Sequence, residues 1–414
     1  MKELLKSIIY DQQEFNWKNN YIKREFSENL IHSAEIIVIS GIRRCGKSTL
    51  LHQIRNENIE KDYYFNFDDE RLVNFKVEHF QLLNDCFYEI YGSQKTFYFD
   101  EIQNITGWER FVRRLHDYGN KIFITGSNAT MLSKELGTHL TGRYCKIELF
   151  PFSFKEFLIF NNIKTTKDNT YSTKQKSEIN RQFNDFFTRG GFPLFLANNS
   201  DIYLKSLYES ILYRDIMVRN HINNEKEILE LVYYLASNVT KLTSYNSLIK
   251  IIDVKNPTTI RNYIEFIQNT YLLFQVNKYD FSLKKQLMNP KKIYFIDNAL
   301  VTKIGFLFSE EKGRLLENLI FIELKRRNYD IYYHSKTCEC DFIIKESNVI
   351  TMAIQVCYAF ENVKTKEREI KGLLEAMNVY NLNEGWIITN NDEENIEINN
   401  CTIKIIPAWK YLLI

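Results

Sequence analysis

The stretch that most constrains this chain is Ile36-Ile-Val-Ile-Ser-Gly41-Ile42-Arg43-Arg44-Cys45-Gly46-Lys47-Ser48-Thr49. An apolar strand runs directly into a GxxxxGK[ST] pattern, and a helix follows at once, which is the setting a phosphate-binding loop requires. Gly41 and Gly46 let the backbone fold back, so the N–H groups from Ile42 to Gly46 point at a β-phosphate while the helix opening at Lys47 and Thr49 presents its positive end. Lys47 supplies a mobile charge for the β- and γ-oxygens, and Ser48 a hydroxyl for Mg²⁺. ATP and Mg²⁺ are therefore the expected cofactors. A plain glycine turn before a helix would need none of these side chains.

Further apolar runs at 62–68, 95–103 and 121–127 alternate with helical stretches such as 47–56. Strands apolar on both faces need helices on both sides, so the first half is expected to be α/β with a parallel sheet. A phosphate loop also needs a metal-holding acid on a neighbouring strand, and Thr96-Phe-Tyr-Phe-Asp100-Glu101 ends in two carboxylates. Asp100 is expected to hold Mg²⁺ through water and Glu101 to polarise the attacking water. At the end of the next strand, Ser127 or Asn128 could orient that water, although short polar residues there are also ordinary turn formers. Arg143, after Thr141 and Gly142, is either an arginine finger, in cis or from a neighbouring subunit, or a surface residue beside a turn.

The 414 residues allow two to four domains. Lys+Arg of 54 against Asp+Glu of 52 leaves a net charge of +2, so any nucleic-acid contact must come from a local patch. The N-terminus has no continuous apolar signal core, and no apolar run approaches the roughly 20 residues of a membrane span. Neither secretion nor a membrane partner is expected. The 7 cysteines are scattered without a paired CxxC, which fits a reduced, cytoplasmic protein. A polar linker at 163–177 and a helical stretch at 179–277 precede strands that return from residue 291. The expected division is an N-terminal helical segment 1–30, a phosphate-loop domain 31–160, a helical lid or linker 161–230, a helix-turn-helix segment 231–285, and a second α/β domain 286–414.

Taken together, GIRRCGKST, FYFDEIQN, ITGSNA and TGRYCKIELFPFSFKEF, followed by GGFP (190–193), YRDI (213–216), KIYFID (292–297), GRLLEN (313–318) and IIPAWKYLL, resemble AAA-type P-loop ATPases of the archaeal, STAND-like branch that carry a C-terminal domain of unknown function. The resemblance spans nearly the whole chain. It implies a P-loop NTPase sheet, then a helical and winged-helix segment, then a restriction-endonuclease-like α/β domain. In the winged helix, Ile260, Tyr263, Ile264, Ile267 and Tyr271 are expected on one helical face and Thr258, Thr259, Arg261 and Asn262 on the other, suited to DNA or to protein packing. The nuclease-like pattern asks for a helix Glu, a strand Asp and a (D/E)xK triplet. Glu317 and Asp341 fit, but Gln355 replaces the second acid and Cys357 the lysine, so this domain is expected to be degenerate unless Lys345 or Lys364 has migrated in. A soft metal site at Cys338, Cys340 and Cys357 lacks a fourth ligand.

The leading expectation is an ATPase that acts as a nucleotide-controlled switch on an unknown protein partner, with a homo-oligomer allowed by a trans arginine finger. The alternative is an ATP-regulated protein that binds or cuts DNA.

Overall fold

The computed structural model describes residues 1–14, 21–127, 140, 142–165, 171–306, 311–360 and 363–414. The chain forms two compact units, Met1–Phe150 with Asn269–Tyr271, and Pro151–Gln268 with Leu272–Ile414.

The first unit is built on five strands: β1 (Ile36–Ser40), β2 (Tyr64–Asn66), β3 (Thr96–Asp100), β4 (Lys121–Gly126) and β5 (Tyr144–Glu148). All pair in parallel, in the order β2-β3-β4-β1-β5. Every residue of β1 is buried, as the branched run Ile-Ile-Val-Ile requires of a strand covered on both faces. Parallel pairing brings the carboxyl ends of β1, β3 and β4 to one edge, where ligands of open α/β sheets bind. The acid-bearing β3 is not the neighbour of β1 that the sequence suggested, because β4 lies between them. At about 4.8 Å per strand, the backbones of β1 and β3 stand about 10 Å apart, with the end of β4 between them.

The segment 1–30 is not a separate piece. Helix Lys2–Glu14 buries Leu5, Ile8 and Ile9, spaced to share one helical face, in the same core as Phe65, Phe87 and Trp108.

The second unit holds β6 (Leu242–Thr243), β7 (Leu273–Lys278), β8 (Lys291–Phe295), β9 (Asp330–Ser335), β10 (Glu339–Glu346), β11 (Val349–Val356), β12 (Glu384–Thr389), β13 (Glu394–Ile398) and β14 (Cys401–Pro407). They form one sheet ordered β13-β14-β12-β11-β10-β9-β7-β8-β6. The expected cut at 285/286 therefore falls inside a sheet, since β7 pairs with β9 through Asn277↔Tyr332 and Lys278↔Tyr333. The cut expected at 160/161 moves to Phe150/Pro151, because helix Phe154–Phe160 stacks Phe154 and Phe157 on Phe183 and Phe186 of helix Thr173–Arg189. The expected boundary at 230/231 lies inside helix Glu225–Ser237. The helical stretch expected through residue 277, with Tyr271 on its face, ends at Asn269, and after Tyr271 in the left-handed region (φ 63°) the chain continues as β7.

Three of the short motifs meet inside this unit. Asp297 caps helix Asn298–Ile304 through the Ala299 N–H and accepts the Gly191 N–H at 2.7 Å. A Cβ on Gly190, at φ +64°, would sit 2.0 Å from the Asp297 carboxylate. Asn318, fully buried, exchanges hydrogen bonds with both backbone groups of Phe295 and donates to Asn298 Oδ1. The GGFP, FID and LLEN runs are thus joints of the fold.

Candidate functional site

The phosphate loop takes its shape from contacts that the motif does not contain. Gly41 lies so close to Leu149 that a Cβ would come within 2.1 Å of the Leu149 carbonyl oxygen, and Gly46 takes φ 104° ahead of helix Lys47–Glu57. Cys45 is buried and donates its thiol to Leu149 O at 3.4 Å. Arg24, also buried, donates to Cys45 O at 2.7 Å and Phe150 O at 2.6 Å, so one guanidinium ties the loop to the chain leaving β5. Ile42 is buried, Arg43 half-buried and Arg44 exposed, with Arg44 in the left-handed region at φ 62°. Ser48 and Thr49 are half-buried in the first turn of the helix.

Lys47 is buried at the carboxyl edge of the sheet, its ammonium donating to Ile42 O at 3.2 Å and lying 3.6 Å from Glu101. Burial works against this charge, but Glu101 and Asp100 outweigh it, and the pKa lies above that of an ordinary lysine. Asp100 accepts hydrogen bonds from Thr125 and Tyr64. Burial first, then the Glu101 charge, pushes its pKa to about 6, against the pull of Thr125, Ser48 and Lys47. Glu101 sits in the left-handed region (φ 51°, ψ 38°), a costly conformation for a non-glycine residue that the surrounding structure must enforce. Its N–H donates to Thr125 Oγ1 at 2.9 Å, and Gln103 holds its carboxylate at 2.5 Å.

Ser127, at the end of β4, is 4 % exposed, and its hydroxyl has no partner among the described residues. A buried polar atom left unpaired at this edge, beside a loop that excludes side chains at Gly41, is what a bound phosphate would satisfy. The residues therefore fit Mg-ATP, with loop amides and Lys47 on the phosphates and Ser48 and Asp100 at the metal.

Five sequence-derived candidates thus gather at one edge: Lys47, Ser48, Asp100, Glu101 and Ser127. Arg143 does not join them. It precedes β5, its carbonyl accepts the N–H of Ile36 at the start of β1, and its side chain pairs with Asp117 at 3.2 Å. That is the amino edge of a parallel sheet, opposite the phosphate loop. Asn128 and Thr141 lie outside the described residues. Arg24, Tyr64 and Thr125 escaped the sequence reading as site residues. Only Thr125 carried a signal, as a polar residue closing an apolar strand.

In the second unit, the residues of the nuclease-like pattern do converge. Glu317 of helix Lys312–Arg326 and Asp341 of β10 flank the ammonium of Lys292, at 3.0 and 2.8 Å, and Glu339 completes the group at 2.6 Å. Gln355 accepts the Asp341 N–H and donates to Glu369 at 2.5 Å. Cys357 turns away to Ala359 O, its thiol pushed to about 12 by burial first and then Glu369. Neither Lys345 nor Lys364 is among the partners of Asp341 or Glu317; the lysine that has moved in is Lys292. Among the described residues no group of His, Cys, Asp and Glu is arranged to hold a metal ion, so Cys338, Cys340 and Cys357 form no such site.

Fold and site together define an AAA-type P-loop ATPase domain with a larger unit attached. Residues 33–158 match an AAA domain, 180–311 a domain of unknown function (DUF8612), and 312–411 another (DUF4143). An uncharacterised protein of Methanocaldococcus jannaschii, MJ1544, is 39% identical over 100% of this chain and 96% of its own length. An uncharacterised Haemophilus influenzae protein is 31% identical over 90% of this chain and 94% of its own. The chain belongs to the family of these two proteins. Solved structures show fainter likeness: AMPPCP-bound DnaA from Aquifex aeolicus (18% identity, 58% of this chain and 84% of that one, TM-score 0.24) and the ADP form of Aeropyrum pernix ORC2 (11%, 62% and 90%, 0.33). At these TM-scores neither superposition carries an argument. Among the described residues, no helix is long and apolar enough to cross a membrane.

Proposed function

We propose that this protein binds ATP with Mg²⁺, hydrolyses it, and uses the cycle as a switch acting on a protein partner in the cytoplasm. The observation that carries the reading is the meeting of Lys47, Ser48, Asp100 and Glu101 beside the buried Ser127. Bound phosphate would draw Lys47 from Glu101, freeing that carboxylate to polarise water. Free thiols at all 7 cysteines support a reducing compartment. The decisive comparison is between two variants. Lys47→Ala should lose nucleotide binding while still melting cooperatively, at a lower temperature because Glu101 loses its buried partner, whereas Glu101→Gln should bind ATP normally and hydrolyse it about 10²-fold more slowly. Near-normal binding and turnover in Lys47→Ala would refute the assignment. Arg143, far from its own loop, is assigned to a neighbouring subunit's site in a homo-oligomer, so Arg143→Ala should lower turnover only at concentrations where the oligomer forms.

A second reading has a specific observation behind it. Helix Glu225–Ser237, β6, helices Tyr245–Ile252 and Pro257–Asn269, then β7 and β8 follow the element order of a winged helix. Helix Pro257–Asn269 buries Ile260, Tyr263, Ile264 and Ile267 and leaves Thr258, Arg261 and Asn262 exposed. If that face meets DNA, duplex binding should weaken steeply with salt and fall further in Arg261→Ala. The element order helix, three antiparallel strands, helix, parallel strand from Lys312 to Thr389 supports the nuclease-like reading of the C-terminal region. We read that region as one that does not cut DNA.

A further inference from the structure

A metal-dependent nuclease site needs carboxylate oxygens free to bind Mg²⁺. Here both oxygens of Asp341 and one oxygen of Glu317 are already engaged. Lys292 has three N–H donors and three carboxylates to receive them, Glu339 at 2.6 Å, Asp341 at 2.8 Å and Glu317 at 3.0 Å. The second oxygen of Asp341 accepts the Val356 N–H at 2.9 Å, and the oxygen of Glu317 that meets Lys292 also accepts the Tyr294 hydroxyl at 2.7 Å. The Lys292 side chain is 3% exposed, so this is a built interior group and not a surface lysine resting on acids. The position of the second acid is closed as well, since Gln355 is spent on the Asp341 N–H and on Glu369, itself held by Arg368.

Charge balance points the same way. Glu339 is half-open to water, while Asp341 and Glu317 both face the buried ammonium, so the positive charge nearest the two interior acids is already that of Lys292.

We infer that the ammonium of Lys292 is the resident cation of this site, occupying the place a divalent metal would take and tying helix Lys312–Arg326 to β8 and β10, so that the pocket becomes a divalent-cation site only when that charge is removed. The inference rests on the nuclease-like reading of the region, and it deepens it by naming the residue that keeps the site closed. It differs from simple decay of the pattern, because loss of the acid and the lysine at positions 355 and 357 alone would leave Glu317 and Asp341 open to metal.

The test is Mn²⁺ binding followed by electron paramagnetic resonance on the full chain without nucleotide. Asp100→Asn is present throughout, so that the phosphate-loop metal position contributes nothing. The Lys292-intact protein should leave the Mn²⁺ signal undiminished. Lys292→Met should take up one Mn²⁺ with Kd of about 10–100 μM, Asp341→Asn added to it should weaken binding at least tenfold, and Lys292→Arg should bind none. Lys292→Met that is unfolded in chelator yet folds on adding Mn²⁺ would equally support the inference. Uptake of Mn²⁺ by the Lys292-intact protein that Asp341→Asn abolishes would overturn it, as would a folded Lys292→Met that takes up no metal. Should Lys292→Met fold under neither condition, Lys292 is not exchangeable for a metal ion and the inference falls. Cleavage of DNA by the Lys292-intact protein, lost in Asp341→Asn, would instead refute the underlying reading of a silent nuclease-like region.

Discussion

At the scale of single residues, the most exposed consequence of the site's electrostatics belongs to Asp100. Its pKa of about 6 in the folded protein lies above the ordinary 3.8, because burial and Glu101 disfavour its charge. Below pH 6 the carboxyl is protonated, and under the proposed Mg-ATP reading the metal would have to expel that proton to bind. Mg-dependent nucleotide affinity should therefore be flat above about pH 7 and fall roughly tenfold per unit below pH 6, with proton uptake visible when metal is chelated. Calorimetry in buffers of different ionisation enthalpy would check this, and a pH-independent metal affinity would contradict it. Arg24 gives a second prediction. Arg24→Met leaves the carbonyls of Cys45 and Phe150 without this donor, and a charged hydrogen bond of about 1.5–3 kcal/mol corresponds to at least tenfold weaker nucleotide binding. Titration with a fluorescent ATP analogue would measure it. These two residues also mark the limit of the sequence. That Lys47, Ser48 and Asp100 would gather at one edge was legible because each sits beside the strand or loop that places it. Arg24 precedes Cys45 by 21 residues and Phe150 by 126, and a contact across such separations leaves no local pattern to read.

Between elements, the same contrast holds. The strands of the first unit were legible because fully buried parallel strands are written as unbroken apolar runs, as in β1 and β4. β7 was not, because Leu273–Lys278 is buried only at Leu273 and Val276, without the alternation of a half-buried strand, and follows an amphipathic helix without a proline or glycine to mark the change. β13 (Glu394–Ile398) has no buried residue at all and pairs along β14 by its backbone. Joints between elements were equally silent in the sequence. Asn318 links helix Lys312–Arg326 to β8 and to helix Asn298–Ile304, and Asn318→Ala would leave the Phe295 N–H and carbonyl and the Asn298 side chain with one fewer partner each in the interior. At about 1–3 kcal/mol for each stranded group, the variant should lose about 3 kcal/mol or more. Denaturant unfolding would show the midpoint falling with an unchanged slope.

For the molecule as a whole, the family boundary at 311/312 and the physical boundary do not coincide. Residues 180–311 and 312–411 match different families, yet β7 and β8 from the first are in one sheet with β9 from the second, and Lys292 lies among three acids of the second. A fragment beginning at residue 312 would expose the edge of β9 that β7 covers. It would also strand Asn318 and leave Glu317 and Asp341 without their buried counter-charge, and removing one partner of such a pair costs about 3–5 kcal/mol. Against a total stability of about 5–15 kcal/mol for a domain, those losses are enough to prevent folding. Residues 312–414 expressed alone should therefore be aggregated or lack a cooperative thermal transition, whereas 151–414, which keeps the whole nine-stranded sheet, should melt cooperatively. Circular dichroism with scanning calorimetry distinguishes the two, and a cooperative melt from 312–414 would show that the C-terminal strands need neither β7 nor Lys292.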